Sequence, residues 1–285
     1  MGNIDINNIR KKGFEKDSEE EKVEKYCRTV ASEYTDKLIK LYNELEESRN
    51  GNYINSDLMK MVFPFYAKSL ENRKKFNLSI TNSAAVLTNE AYMRALQRPD
   101  VQRCIYVVGP YGAGKSFFAQ SLFEREGHGL LKNAIVYEGS ITPPAFAEKV
   151  RHAIDNNVTP SIIALNPTLE LSIRNIKKRA KEIGRDVEKD EVIDKFSNMY
   201  RYLKDLLEQF NDIAYVIYNK KQNIAIDLNS GSINLEDLNH GSIDEISKEY
   251  DRIIKILNRE KLQMKSIHCK PSKEKDERQS MEIDI

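Results

Sequence analysis

Residues 104–116 read Cys104-Ile105-Tyr106-Val107-Val108-Gly109-Pro110-Tyr111-Gly112-Ala113-Gly114-Lys115-Ser116. An unbroken apolar run hands over to G-x-x-x-x-G-K-S, and Phe117 to Phe123 continues as a helix. Strand, glycine loop and helix N-terminus in that order form a phosphate-binding unit, because loop N–H groups turn inward and the helix dipole favours negative charge. Lys115 has the reach for β- and γ-phosphates, and the Ser116 hydroxyl is a candidate Mg²⁺ ligand. Gly109, Pro110, Tyr111, Gly112, Ala113, Gly114, Lys115, Ser116 and Phe117 are therefore the candidate nucleotide-binding residues, with ATP and Mg²⁺ the expected ligands.

Outward from this unit the pattern is α/β. Cys104–Val108, Ala134–Tyr137, Ser161–Leu165 and Ile213–Tyr218 are short apolar runs with helical segments between them, which predicts a parallel sheet flanked by helices. Asp194 to Asn211 gives the clearest helix, with Phe196, Met199, Tyr200, Leu203, Leu206, Leu207 and Phe210 on one face. Ile224-Ala225-Ile226 reads as a further strand. Upstream, residues 1–100 read as a helical N-terminal region. One long amphipathic helix runs from Val23 to Leu45 and stops at Asn50-Gly51-Asn52; a second starts at Ser56 or Asp57 with Pro64 kinking or dividing it; a third spans Asn82 to Arg98. The Tyr/Val/Leu stripe of the first helix reads first as packing against its own neighbours, with a partner-binding face the alternative. Residues 101–262 would be the nucleotide-binding domain of P-loop NTPase type. Residues 263–285 form a charged tail, expected to be disordered.

Composition excludes several classes. Forty-five Lys and Arg against 44 Asp and Glu leave a net charge of +1, so no global signal points to nucleic acid. Cys27, Cys104 and Cys269 are odd in number and far apart, which suits reduced thiols. No apolar run approaches a membrane span and Met1 to Lys12 lacks the apolar core of a signal peptide, so the expected location is the cytoplasm with no membrane partner. A GTPase would carry N-K-x-D, whereas Asn219-Lys220-Lys221-Gln222 lacks the carboxylate. Ala134–Tyr137 closes with Glu138-Gly139-Ser140 instead of the Asp or Asp-Glu of motor-type ATPases, which favours small-molecule kinases.

With these pieces in place the chain resembles the zeta-toxin family of phosphate-loop kinases. The matching residues are the Gly109–Ser116 loop, Glu138-Gly139-Ser140, and Ile162-Ile163-Ala164-Leu165 followed by Asn166-Pro167-Thr168-Leu169 and the basic run to Arg185; Asn82 to Leu87 is similar to the family's approach segment. The resemblance implies ATP-dependent phosphorylation of a small hydroxyl acceptor, in the family a nucleotide sugar, UDP-N-acetylglucosamine. It implies that Glu138 and Ser140 face the acceptor, that Lys115 and arginines between Arg174 and Arg185, foremost Arg179 and Arg185, stabilise the transferred phosphoryl group, and that a helical antitoxin is a partner. The N-terminal helices could inhibit in cis.

One departure stands out. The family's catalytic Asp lies on a strand soon after the loop helix, in an Asp-Glu-Phe-Arg-like phrase. Here only residues 117–137 separate Ser116 from Glu138, and no Asp occurs between Asp100 and Asp155. Glu138 is the carboxylate placed to substitute as general base, with His128 a weaker candidate. A nucleotide-binding module without turnover is the alternative.

Overall fold

The computed structural model describes residues 3–124, 131–183, 187–221 and 231–268. Among them a six-stranded sheet takes the order β1-β3-β2-β4-β5-β6, built from β1 (Tyr53–Asn55), β2 (Arg103–Val108), β3 (Ala134–Gly139), β4 (Thr159–Pro167), β5 (Ala214–Lys220) and β6 (Gly231–Ser232). The first five run parallel and β6 is antiparallel to β5. β2 is central and buried from Cys104 onward, as a strand covered on both faces requires. Its side chains alternate: Cys104, Tyr106 and Val108 enter one core, Ile105 and Val107 the other.

Helices cover both faces. The helix after the glycine loop, α6 (Lys115–Glu124), packs Phe118, Ala119 and Leu122 against Ile105 and Val107. On the opposite face, α7 (Ala145–Asp155) and α9 (Lys189–Gln209) contribute Phe146, Val150, Met199, Leu203 and Leu206. Between β4 and α9 lies α8 (Leu169–Ile183), whose Ile173 and Ile176 join Phe196 and the Ile246, Tyr250 and Ile253 of α10 (Ile243–His268) in a smaller core. α10 continues the helix through His268, beyond the boundary at 262 expected from the sequence. The Lys270–Ile285 tail, the Ile224–Ile226 strand and the Gly127–Gly129 turn lie outside the described residues.

The N-terminal region departs from expectation at its first and third helices, while Pro64 divides the second segment, one of the two expected alternatives. The first helix is two, α1 (Glu19–Glu33) and α2 (Thr35–Glu44): Tyr34 leaves helical geometry at φ −122°, ψ 30°, and the Thr35 hydroxyl donates to the Ala31 carbonyl at 2.7 Å. Pro64 divides the next segment into α3 (Ser56–Met59) and α4 (Pro64–Lys68), sitting at the start of α4 where its missing N–H costs nothing. The third helix, α5 (Leu70–Leu96), starts twelve residues earlier than Asn82 because the Ser69 side chain accepts from Asn72 N–H and caps it.

The region is also not purely helical. Tyr53-Ile54-Asn55 forms β1, pairing in register with Val136, Tyr137 and Glu138. At 27 residues and about 40 Å, α5 spans two cores: Ile80, Ala84 and Leu87 pack with Cys27 and Ala31 of α1, while Tyr92, Ala95 and Leu96 lie under the sheet. No described helix is long and apolar enough to cross a membrane.

Candidate functional site

β2 is joined to β3 on one side and β4 on the other, so the chain leaves a crevice beyond its carboxyl end, where ligands of open parallel sheets sit. The Gly109–Ser116 loop occupies this crevice and is held from both sides. A Cβ on Gly109 would lie 2.8 Å from the Leu165 carbonyl oxygen. At Gly112, φ is +73° and a Cβ would meet the Ser172 carbonyl oxygen at 2.4 Å. Glycine is thus demanded by both backbone sign and space. The Asn175 Nδ2 of α8 donates to the Gly112 carbonyl at 2.8 Å, and Lys115 Nζ donates to the carbonyls of Gly109 and Pro110 at 2.9 and 3.0 Å.

A cavity of about 460 Å³ opens over the loop, lined by Gly112 to Phe117, Glu138, Asn175, Lys178, Arg179, Glu182 and Lys220. Pro110 and Tyr111 do not line it; Tyr111 packs into the α8–α10 core instead. Four cationic side chains border the cavity against two carboxylates, so it attracts anions. Lys220 is the unexpected member. It ends β5, is only 8 % exposed, and points its Nζ to within 3.1 Å of where a Cβ of Gly114 would stand. Burial lowers its pKa from 10.5. Among the described residues no carboxylate pairs with it; its contact is the face of the exposed Phe117 ring, 5.7 Å from the centroid.

The Ser116 hydroxyl donates to Glu138 Oε1 at 3.0 Å, and the Tyr53 hydroxyl of β1 donates to Oε2. Burial, reinforced by the Glu138 charge, pushes the Tyr53 pKa up, so Tyr53 stays a donor. Tyr53 is fixed in turn by Tyr42, whose hydroxyl donates to the Tyr53 carbonyl at 2.7 Å and accepts from Asn55 N–H at 3.0 Å. Both Glu138 oxygens therefore accept hydrogen bonds from protein hydroxyls, and the carboxylate faces Ser116 rather than standing free as a proton acceptor. A hydroxyl and a carboxylate at this spacing suit Mg²⁺, which takes one or two protein oxygens and fills its octahedron with water and phosphate. No group of three or more His, Cys, Asp or Glu that could hold a metal occurs among the described residues.

Other expected residues are dispersed. Ser140 lies past the end of β3 and does not line the cavity. Arg174 turns away from the loop into a bidentate pair with Glu260 of α10, both distances 2.9 Å, and also meets Glu170. Arg179 does border the cavity, with Asp57 Oδ2 at 3.9 Å. Arg185 and His128 lie outside the described residues.

A second cavity, about 930 Å³, shares Lys220 and is bounded by Asn166–Glu170, Asn219–Lys221 and the start of α10. Three of its lining residues belong to a polar chain: His240 Nε2 bonds Asn166 Oδ1 at 2.6 Å, Asn166 Nδ2 donates to Asn219 Oδ1 at 2.6 Å, and Asn219 Nδ2 donates to Asp237 Oδ2 at 3.0 Å. Burial lowers the His240 pKa, keeping the ring neutral near pH 7. Sequence reasoning missed Lys220, Asn175 and Tyr53. The Asn219-Lys220 pair at a strand end was the visible signal for the first; nothing local marks the other two. No family model matches the chain, and no curated protein matches it.

Proposed function

We propose that the chain is a Mg²⁺- and ATP-dependent phosphotransferase of P-loop NTPase type, acting on a small hydroxyl acceptor, with a nucleotide sugar such as UDP-N-acetylglucosamine the first candidate. The observation that carries this reading is the largely buried Lys220, with no carboxylate partner among the described residues, converging with Lys115, Lys178 and Arg179 on a glycine loop pinned from both sides. A desolvated cation without an anion is costly, and a polyphosphate supplies the missing charge.

In this reading loop N–H groups and Lys115 hold the β- and γ-phosphates, while Lys220 approaches from the β5 side and Arg179 from α8. Ser116 and Glu138 would hold Mg²⁺, which supplies charge neutralisation on the phosphates. The larger cavity beyond Lys220 has room for the nucleoside. Glu138 thereby moves from acceptor-facing base to the metal side of the site. Because phosphoryl transfer is mainly positioning and electrostatic stabilisation, the cations supply most of what the chain itself contributes.

Calorimetry with Mg·ATPγS tests the binding step: saturable binding that Lys115→Ala weakens at least tenfold is expected, and absence of binding by the wild type would overturn the proposal. Transfer of labelled γ-phosphate to UDP-N-acetylglucosamine tests the reaction. Engagement of both Glu138 oxygens favours a second reading, a nucleotide-binding module without turnover, which predicts binding with no transfer above the Lys115→Ala background.

A further inference from the structure

The second cavity differs from the loop cavity in charge. Glu170, Glu245 and Glu249 border it together with Lys220 and Lys221, so it does not gather anions as the loop cavity does. Lys220 belongs to both, which makes the two cavities neighbours across one side chain. A phosphate chain held at the loop leaves the second cavity to the uncharged part of the same ligand, and a few placed polar groups recognise such a part by hydrogen bonding.

The polar chain along this cavity has a fixed direction. Asp237 anchors it, because its backbone carbonyl and its carboxylate only accept. Asn166 Nδ2 donates to the Asp237 carbonyl, and Asn219 Nδ2 donates to Asp237 Oδ2 at 3.0 Å. Both amides are thereby oriented: Asn219 Oδ1 accepts from Asn166 Nδ2, and Asn166 Oδ1, with no proton of its own, faces His240 Nε2 at 2.6 Å. His240 must supply that proton. With burial keeping the ring neutral near pH 7, its single N–H stands on Nε2 and Nδ1 carries a lone pair. The edge-to-face contact with the buried Phe196 ring, 4.9 Å between centroids, holds the imidazole in place. Among the described residues Nδ1 has no hydrogen-bond partner, and it is not sealed from solvent. The amides of Asn166 and Asn219 are spent on one another and on Asp237, while Glu170 is paired with Arg174 and Glu249 with Arg252. Nδ1 is left as an open acceptor.

Resting on the phosphotransferase reading above, we propose that the nucleobase lies in this second cavity and that His240 Nδ1 selects a 6-aminopurine by accepting a hydrogen bond from its exocyclic amino group. At about 930 Å³ the cavity has room for a purine. A 6-oxopurine would set a carbonyl oxygen against the Nδ1 lone pair, and a purine with hydrogen at that position would leave Nδ1 unpaired; a site built around a substrate N–H rejects both. Asn219, Asp237 and His240 all lie downstream of the Arg185 that closes the zeta-toxin resemblance, so the selection is this chain's own.

The test reads displacement of Mg·ATPγS from the full chain by the Mg²⁺ complexes of three nucleotides: ATP, purine riboside triphosphate, in which hydrogen replaces the 6-amino group, and inosine triphosphate, in which oxygen replaces it. The wild type is expected to bind ATP about tenfold or more tighter than either analogue. His240→Gln, which keeps a donor toward Asn166 and removes the Nδ1 lone pair, should weaken ATP about tenfold while leaving purine riboside triphosphate within about twofold, so that the preference vanishes. Each ratio is read within one protein, so it does not depend on how much of the variant is folded, and the wild-type comparison needs no variant at all. A wild type that does not separate ATP from the two analogues, or a His240→Gln protein that keeps the wild-type preference or weakens all three ligands by the same factor, would overturn the assignment. Failure of the wild type to bind Mg·ATPγS would instead strike the phosphotransferase reading itself.

Discussion

Replacing Lys220 with methionine keeps the length of the stem and its packing beside Phe117 while deleting the ammonium. Two opposed effects follow. An ammonium about 4 Å from a phosphate oxygen is worth about 4 kcal/mol at an effective dielectric constant of about 20, and charged hydrogen bonds retain about 1.5–3 kcal/mol net. Nucleotide affinity should therefore fall about 10- to 100-fold. In the unliganded protein Lys220 as a whole residue is 8 % exposed, with no carboxylate partner among the described residues. Restricting the hydration of such a group costs up to about 1–3 kcal/mol, of which the Phe117 ring returns about 0.5–1 kcal/mol. Lys220→Met should thus stabilise the empty protein by about 1 kcal/mol, raising the melting temperature by roughly 2–4 °C. Calorimetry with Mg·ATPγS and thermal scans without nucleotide read the two effects. A variant that binds as tightly as the wild type, or that melts lower, would refute the reasoning.

The titration of Lys220 gives a second signature. Because burial lowers its folded pKa below 10.5, the unfolded chain binds more protons between the two values, so stability of the empty protein should rise with pH across that window while nucleotide affinity falls; Lys220→Met should flatten both curves. Gly112→Ala must strain a φ of +73° and meet the Ser172 carbonyl oxygen at 2.4 Å, costing about 2 kcal/mol or more and abolishing nucleotide binding; a normal melting temperature would count against it. Glu138→Gln should weaken binding of Mg·ATPγS far more than of the nucleotide in EDTA, whereas an acceptor-facing residue would leave both unchanged. Arg174→Ala should leave nucleotide affinity within about twofold and cost under about 1 kcal/mol, since its pairs with Glu170 and Glu260 are all part-exposed; a tenfold loss of affinity would return Arg174 to the site.

What was legible in the sequence was whatever carries its signal locally. The β2–loop–α6 unit declares itself because each residue type has a fixed local duty, and β3, β4 and β5 declare themselves because central parallel strands are continuous apolar runs. β1 did not, for it has three residues and no period to detect, and its pairing with β3 depends on a segment 83 positions later. The site divides the same way. Lys115 and Ser116 are positioned by adjacent backbone. Lys220 and Asn175 arrive from two different elements, and a spacing rule cannot see them. Arg174 shows the converse: a basic residue on the expected helix is neutralised by Glu260, 86 residues away, a pairing that only the packing of α8 on α10 creates.

The origin of β1 upstream of the loop also sets an order on synthesis. Tyr53-Ile54-Asn55 leave the ribosome 83 residues ahead of the partner at Glu138. At about 5–20 residues per second the segment waits roughly 4–17 seconds before its hydrogen-bonding edge can be paired. Throughout that interval α5 too is half-served, its first half able to pack on α1 while Tyr92 and Leu96 have no sheet beneath them. A nascent chain paused between β1 and β3 therefore exposes a strand edge and an apolar helix end together, the combination that invites pairing between neighbouring chains on one message.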